Sequence, residues 1–207
     1  MGLAFQFGIV HVATALTASW AAAGDLPKAS LPRSGSTAAS DKSGRVWLFG
    51  GYGEEDPQKR DVVSDLLRYE HGDEWSEIQP SSKREDSTGR PGPRLAGASA
   101  MAPSGDELLL FGGWDPQVPG TGGVILDDVW SLSLATGRWA KCDSAMPGGP
   151  TSRHVACTVG DHLIVHTFRC AGSVLVWDPK RRALREQVRI SIAHRDFRLR
   201  ALCSFDC

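Results

Sequence analysis

Two continuous apolar runs, Val46-Trp47-Leu48-Phe49 and Leu108-Leu109-Leu110-Phe111, each end in a glycine pair, Gly50-Gly51 and Gly112-Gly113. A short run that is apolar at every position predicts a strand buried on both faces. The glycine pair predicts where that strand stops, because glycine takes positive φ without strain. Each run follows a stretch of small residues, Ser36 to Ala39 and Gly97 to Ala102, which predicts a strand in crowded surroundings. Each precedes a strand carrying an aromatic residue, Tyr69 or Trp130, and then a strand that opens on a tryptophan, Trp75 or Trp139. Thr136-Gly137 reads as the turn between the last two strands of the second copy. The pattern predicts four short strands per copy and an all-β chain.

The copies also match in their polar residues. Pro32-Arg33-Ser34-Gly35 opens the first and Pro93-Arg94-Leu95-Ala96-Gly97 the second, while Asp65 and Asp128 precede the aromatic strands. A worn third copy follows. Ser152-Arg153-His154 replaces Pro-Arg, Asp161 to Val165 supplies the apolar run, and Thr167 and Phe168 stand where the glycines stood. Val174 to Pro179 is its aromatic strand, with Trp177, and Leu184 takes the place of the tryptophan. The three opening arginines, Arg33, Arg94 and Arg153, lie 61 and 59 residues apart (94 − 33 and 153 − 94). A period of this kind signals units that bury their faces against one another. Upstream, Val10 to Trp20 lies over Val129 to Trp139 without gaps, so the chain reads as starting on the last strand of another unit.

Arginine, glycine pair, aromatic and tryptophan at these spacings resemble the kelch repeat family over about residues 25–185, strongly in two copies and weakly in the third. The resemblance implies an incomplete kelch β-propeller. It would have about three four-stranded blades (about 25–80, 88–145 and 150–185), a leading partial blade in 1–24 and a basic non-kelch tail in 186–207. Propellers close with about four to eight blades, so three leave two open radial edges that invite self-association. Trp75 and Trp139 would fill the wedges between blades, each contributing roughly 3 kcal/mol or more. Phe49, Tyr69, Phe111, Trp130 and Trp177 would be buried with them. Kelch domains mostly bind other proteins, and a minority are enzymes. The implied function is a module that binds a protein or peptide partner through loops on one propeller face. The alternatives are a propeller enzyme of the oxidase type and a non-functional fragment of a longer kelch protein.

Charge narrows the partners. The net charge of −1 gives no bulk attraction to nucleic acid or an anionic membrane. Residues 180–207 hold eight Lys/Arg against three acids, or +5, leaving −6 for residues 1–179. Such a run is usually a solvated face. The five cysteines (Cys142, Cys157, Cys170, Cys203, Cys207) are odd in number and lack a Cys-x-x-Cys, which argues against a disulfide framework and a structural zinc site. A reducing, cytoplasmic setting is the simpler expectation. Against it, Leu3 to Ala18 followed by Ala21-Ala22-Ala23 resembles a secretory signal, but no Lys or Arg precedes it, and Gln6 and His11 interrupt it. Thr, Ser, His and Gln are too frequent there for a membrane span.

Little points to catalysis. His162 and His166 are four apart, which on a strand separates them by about 13 Å, too far for one metal. Gly-x-Ser-x-Gly does not occur. Some kelch propellers are copper oxidases using a tyrosine pair, but Tyr52 and Tyr69 are the only tyrosines here and Tyr69 holds a packing position. The Glu-x-x-x-Asp-x-x-x-His iron pattern of the plant specifier proteins is missing. No cofactor is expected. An arginine recurring at one repeat position reads first as a bond between blades and second as a ring facing an acidic peptide. The loops after the glycine pairs, Tyr52 to Arg60 and Trp114 to Gly120, should emerge on one face. The candidate contacts are Tyr52, Glu54, Glu55, Trp114, Asp115 and Arg94, the aromatics first because they dominate interface energetics.

Overall fold

A computed structural model describes residues 33–56, 59–70, 75–79, 89–118, 120, 122–170 and 173–188. The expected partial blade in 1–24 and the chain beyond Val188 lie outside them. Among the described residues the regular structure is entirely β. In chain order the strands are β1 (Arg33–Ser34), β2 (Thr37–Ser40), β3 (Val46–Phe49), β4 (Tyr52–Asp56), β5 (Lys59–Val62), β6 (Leu66–Tyr69) and β7 (Trp75–Glu77). Then come β8 (Ala98–Met101), β9 (Glu107–Asp115), β10 (Val124–Ser133), β11 (Arg138–Lys141), β12 (Val155–Val159), β13 (His162–His166), β14 (Ser173–Asp178) and β15 (Ala183–Val188). They form three four-stranded antiparallel sheets, β2-β3-β6-β7, β8-β9-β10-β11 and β12-β13-β14-β15, and a small sheet β1-β4-β5. The three larger sheets are the blades of an incomplete β-propeller.

Blade order follows from side-chain direction. Successive residues of a strand face opposite sides of its sheet. In β9, Leu108 and Leu110 therefore join Trp47, Phe49 and Leu66 of the first blade, together with Trp130, Leu132 and Trp139. Leu109 and Phe111 point the other way, into Val129, Leu163, Val165, Leu175, Trp177 and Leu184. This is why the run is apolar at every position. An edge-to-face contact closes each interface: Phe49 on Trp139 (5.5 Å, 65°) and Phe111 on Trp177 (6.5 Å, 70°). The first strands lie inside, β2 against β8 and β8 against β12. Their residues are small enough for the Thr37 and Ser99 hydroxyls to meet at 2.9 Å.

The register corrects three expectations. Tyr69 pairs with Trp75, Leu132 with Trp139 and Trp177 with Leu184. Leu184 thus stands in the tryptophan position, but Trp130 is not the counterpart of Tyr69. Leu132 is, because Asp65 lies four residues before Tyr69 and Asp128 four before Leu132. Second, Tyr69 and Trp75 are only half-buried, unlike Trp139. They occupy the face turned away from the second blade, and no described blade stands against it. They lean on each other instead, at 5.3 Å. Third, Arg153 is not the counterpart of Arg33 and Arg94. Gly51 N–H donates to the Arg94 carbonyl (2.8 Å) and Gly113 N–H to that of Thr151 (2.9 Å), so Thr151 takes the arginine's place. Arg153 continues a different ladder. Gly35, Ala96 and Arg153 all have φ between 50° and 70° (69°, 53° and 55°). Ala96 N–H donates to Gly35 O (2.9 Å) and Arg153 N–H to Ala96 O (2.7 Å), tying blade to blade.

Candidate functional site

The glycine pairs lie at one end of the blades, and what rises beyond them is more ordered than a loop. After Gly50-Gly51 the chain forms the hairpin β4–β5, with Tyr52 opposite Val62, Gly53 opposite Asp61 and Glu54 opposite Arg60. Arg33 and Ser34 add a third strand beside Gly53 and Tyr52. After Gly112-Gly113, β9 and β10 simply continue, with Trp114 opposite Ile125 and Asp115 opposite Val124, past a bulge between Leu126 and Val129. Leu95 bridges to Trp114, as Ser34 does to Tyr52. The same hairpin therefore grows from the same point of two adjacent blades.

Buried ion pairs anchor these hairpins. Arg94 is 3% exposed and grips Asp128 with both terminal nitrogens (2.6 and 2.9 Å), while also donating to the Gly112 carbonyl at 3.1 Å. Arg33 does the same with Asp65 (2.6 and 2.7 Å) and Gly50 O (3.3 Å). Burial alone would raise the Asp128 carboxyl. Hydrogen bonds from Arg94, its charge and the Trp130 indole more than offset this and hold it below the usual carboxylate range. Such bidentate pairs fix orientation as well as energy. The glycines are equally constrained. A Cβ on Gly50 (φ 67°) would stand 2.5 Å from the Arg94 carbonyl, and one on Gly112 (φ 43°) 2.7 Å from that of Thr151.

The expected contact residues separate into three groups. Tyr52 and Trp114 occupy equivalent hairpin positions and are half-buried. Trp114 folds over its own hairpin, where a side chain on Gly123 (φ 102°) would strike its indole nitrogen. Asp115 accepts the Gln117 N–H at 3.0 Å and shapes the tip. Glu54 and Glu55 lie on β4; their side chains are outside the description. Arg94 is corrected outright. Its guanidinium is enclosed and held by Asp128 and by the Gly92 and Gly112 carbonyls, so it supports the hairpin from below rather than facing a partner.

The more exposed apolar groups at this end were not anticipated. Val124 is 37% and Ile125 47% exposed, whereas Val62, the counterpart of Ile125 in the first hairpin, is 5% exposed. Phe168 is 74% exposed, with the Arg169 guanidinium 4.8 Å from its ring. The sequence did hold a signal for Phe168. An aromatic at a glycine position cannot turn inward where the neighbouring backbone passes.

His154 is buried beside Phe111, where its imidazole has no partner at full hydrogen-bond geometry; burial lowers its pKa to about 4, outweighing a weak approach to the Phe111 backbone that raises it. It packs a blade interface. Among the described residues no group of three or more His, Cys, Asp or Glu could hold a metal ion, and no helix is long and apolar enough to cross a membrane.

No family model matches the chain. A rat protein described as "Multiple epidermal growth factor-like domains protein 8" is 31% identical over 113 residues, 54% of this chain. The chain spans 4% of that relative's length.

Proposed function

We propose that this chain is part of a kelch-type propeller that acts as a protein-interaction module, binding a protein or peptide partner through the hairpin end of its blades. The observation that carries this reading is the pair of equivalent hairpins, each clamped by a buried Arg–Asp pair, with Trp114 half-buried and Val124 and Ile125 37% and 47% exposed on the second, and Phe168 74% exposed on the next blade. Rigid scaffolds that lift variable segments are a common way to build a binding surface. Exposed apolar and aromatic side chains beside polar ones are its usual energetic centre. The repeat start, Gly-Gly and tryptophan positions support the kelch assignment.

The test is affinity capture followed by a titration of the captured protein against purified chain. Ile125→Asp and Phe168→Asp should each weaken binding at least tenfold while leaving the melting temperature unchanged. Binding that survives both substitutions would overturn the assignment of this end as the site.

A further inference from the structure

The third blade turns one sheet face away from the second. Leu163, Val165, Leu175 and Trp177 point into the shared core, so by strand alternation the opposite face carries Val155, Cys157, Val159, Ile164, His166, Val174, Val176 and Asp178. In the first two blades the equivalent face is sealed: Trp47 and Phe49, or Leu109 and Phe111, are 4% exposed or less. In the third, Ile164 and His166 hold those positions. Val155 is 57% exposed, His166 is exposed, and Ile164, Val174 and Val176 are half-buried.

A further blade cannot stack here as the second stacks on the first. That stacking needs glycines with positive φ beneath the next blade's carbonyl. The third blade has Thr167 and Phe168 there, and neither has positive φ.

We infer that this face is the interface of a homodimer, two third blades packed face to face about a twofold axis. A twofold contact requires one patch to complement itself. The face meets that condition. Its centre is branched aliphatic, its carboxylate and guanidinium, Asp178 and Arg185, are already paired at 2.9 Å, and its other ionisable groups are the imidazoles of His162 and His166, so two copies meet with no uncompensated carboxylate or guanidinium. The face measures about 19 by 17 Å from strand spacing and rise. With side-chain relief, two copies bury on the order of 1,000 Å² in total, near the lower bound for a specific interface. The dimer should therefore be of micromolar strength and separable from partner binding at the hairpin end.

Sedimentation of the full chain over a micromolar concentration series tests this. The expected result is a reversible monomer–dimer equilibrium, weakened at least tenfold by Val155→Asp and by Ile164→Lys, with Ile125→Asp as an inert control. Because Val155 is mostly exposed, Val155→Asp should leave the melting temperature intact, which separates lost association from lost folding. A monomer at every concentration, an open-ended assembly, or a dimer indifferent to both substitutions would overturn the inference.

Discussion

Trp75 and Trp139 hold the same position in successive repeats, yet removing them should have unequal consequences. Trp139 is 8% exposed and rests edge-on against Phe49 of the preceding blade. A buried tryptophan removes up to about 250 Å² from water, which at ~25 cal/mol per Å² is about 6 kcal/mol. The unfolded chain already hides about a quarter of such area, which brings the figure to roughly 3–5 kcal/mol, the range found for large-to-small core changes. Trp75 is half-buried and touches Tyr69 of its own blade. By the same reasoning Trp75→Ala costs about 1–2 kcal/mol. Urea unfolding followed by circular dichroism measures both. With about 2–4 °C per kcal/mol for a chain of this size, Trp139→Ala should melt roughly 10 °C lower and Trp75→Ala only a few degrees lower. Equal losses, or a larger loss at Trp75, would refute the blade order on which the comparison rests.

Asp128→Asn strands a 3% exposed Arg94 guanidinium and should cost roughly 3–5 kcal/mol, measured by urea unfolding. Asp65→Asn, whose carboxylate side chain is 20% exposed, should cost less. Gly112→Ala adds a Cβ 2.7 Å from a backbone carbonyl at φ 43° and should cost more than the ~1 kcal/mol of a left-handed alanine alone, read from the same unfolding curves. His154 has a folded pKa of about 4 against 6.5 unfolded, so the unfolded chain binds the extra proton in between. Its contribution is full above about pH 6.5 and is lost as pH falls toward 4, a total near 3 kcal/mol that His154→Phe should flatten in a stability–pH profile.

The strands, their order within each blade and the need for neighbours were legible because strand burial on both faces writes itself as an unbroken apolar run. Leu184 could be assigned to a tryptophan position from spacing alone, and the pairing of Trp177 with Leu184 agrees. Arg153 misled because arginine identity was matched where backbone geometry mattered. The recurring feature there is a positive φ shared by Gly35, Ala96 and Arg153, which side-chain type does not encode. Tyr69 and Trp75 were expected in the core because their repeat position is a core position. Whether such a position is sealed depends on the neighbouring unit. The segments after the glycine pairs read as loops, since Glu54, Glu55 and Asp56 are poor strand formers. The register imposed by the adjacent blade strands continues into them and makes hairpins. Arg94 looked available because the sequence does not show Asp128 standing 2.6 Å away.

Amide hydrogen exchange of the chain with and without its captured partner tests the central proposal most directly. The account predicts new protection confined to residues 52–62, 114–125 and 168–170, the segments at the hairpin end, with the outer strands β7, β11 and β15 unchanged. Protection along those outer strands, with the hairpins exchanging as before, would contradict it.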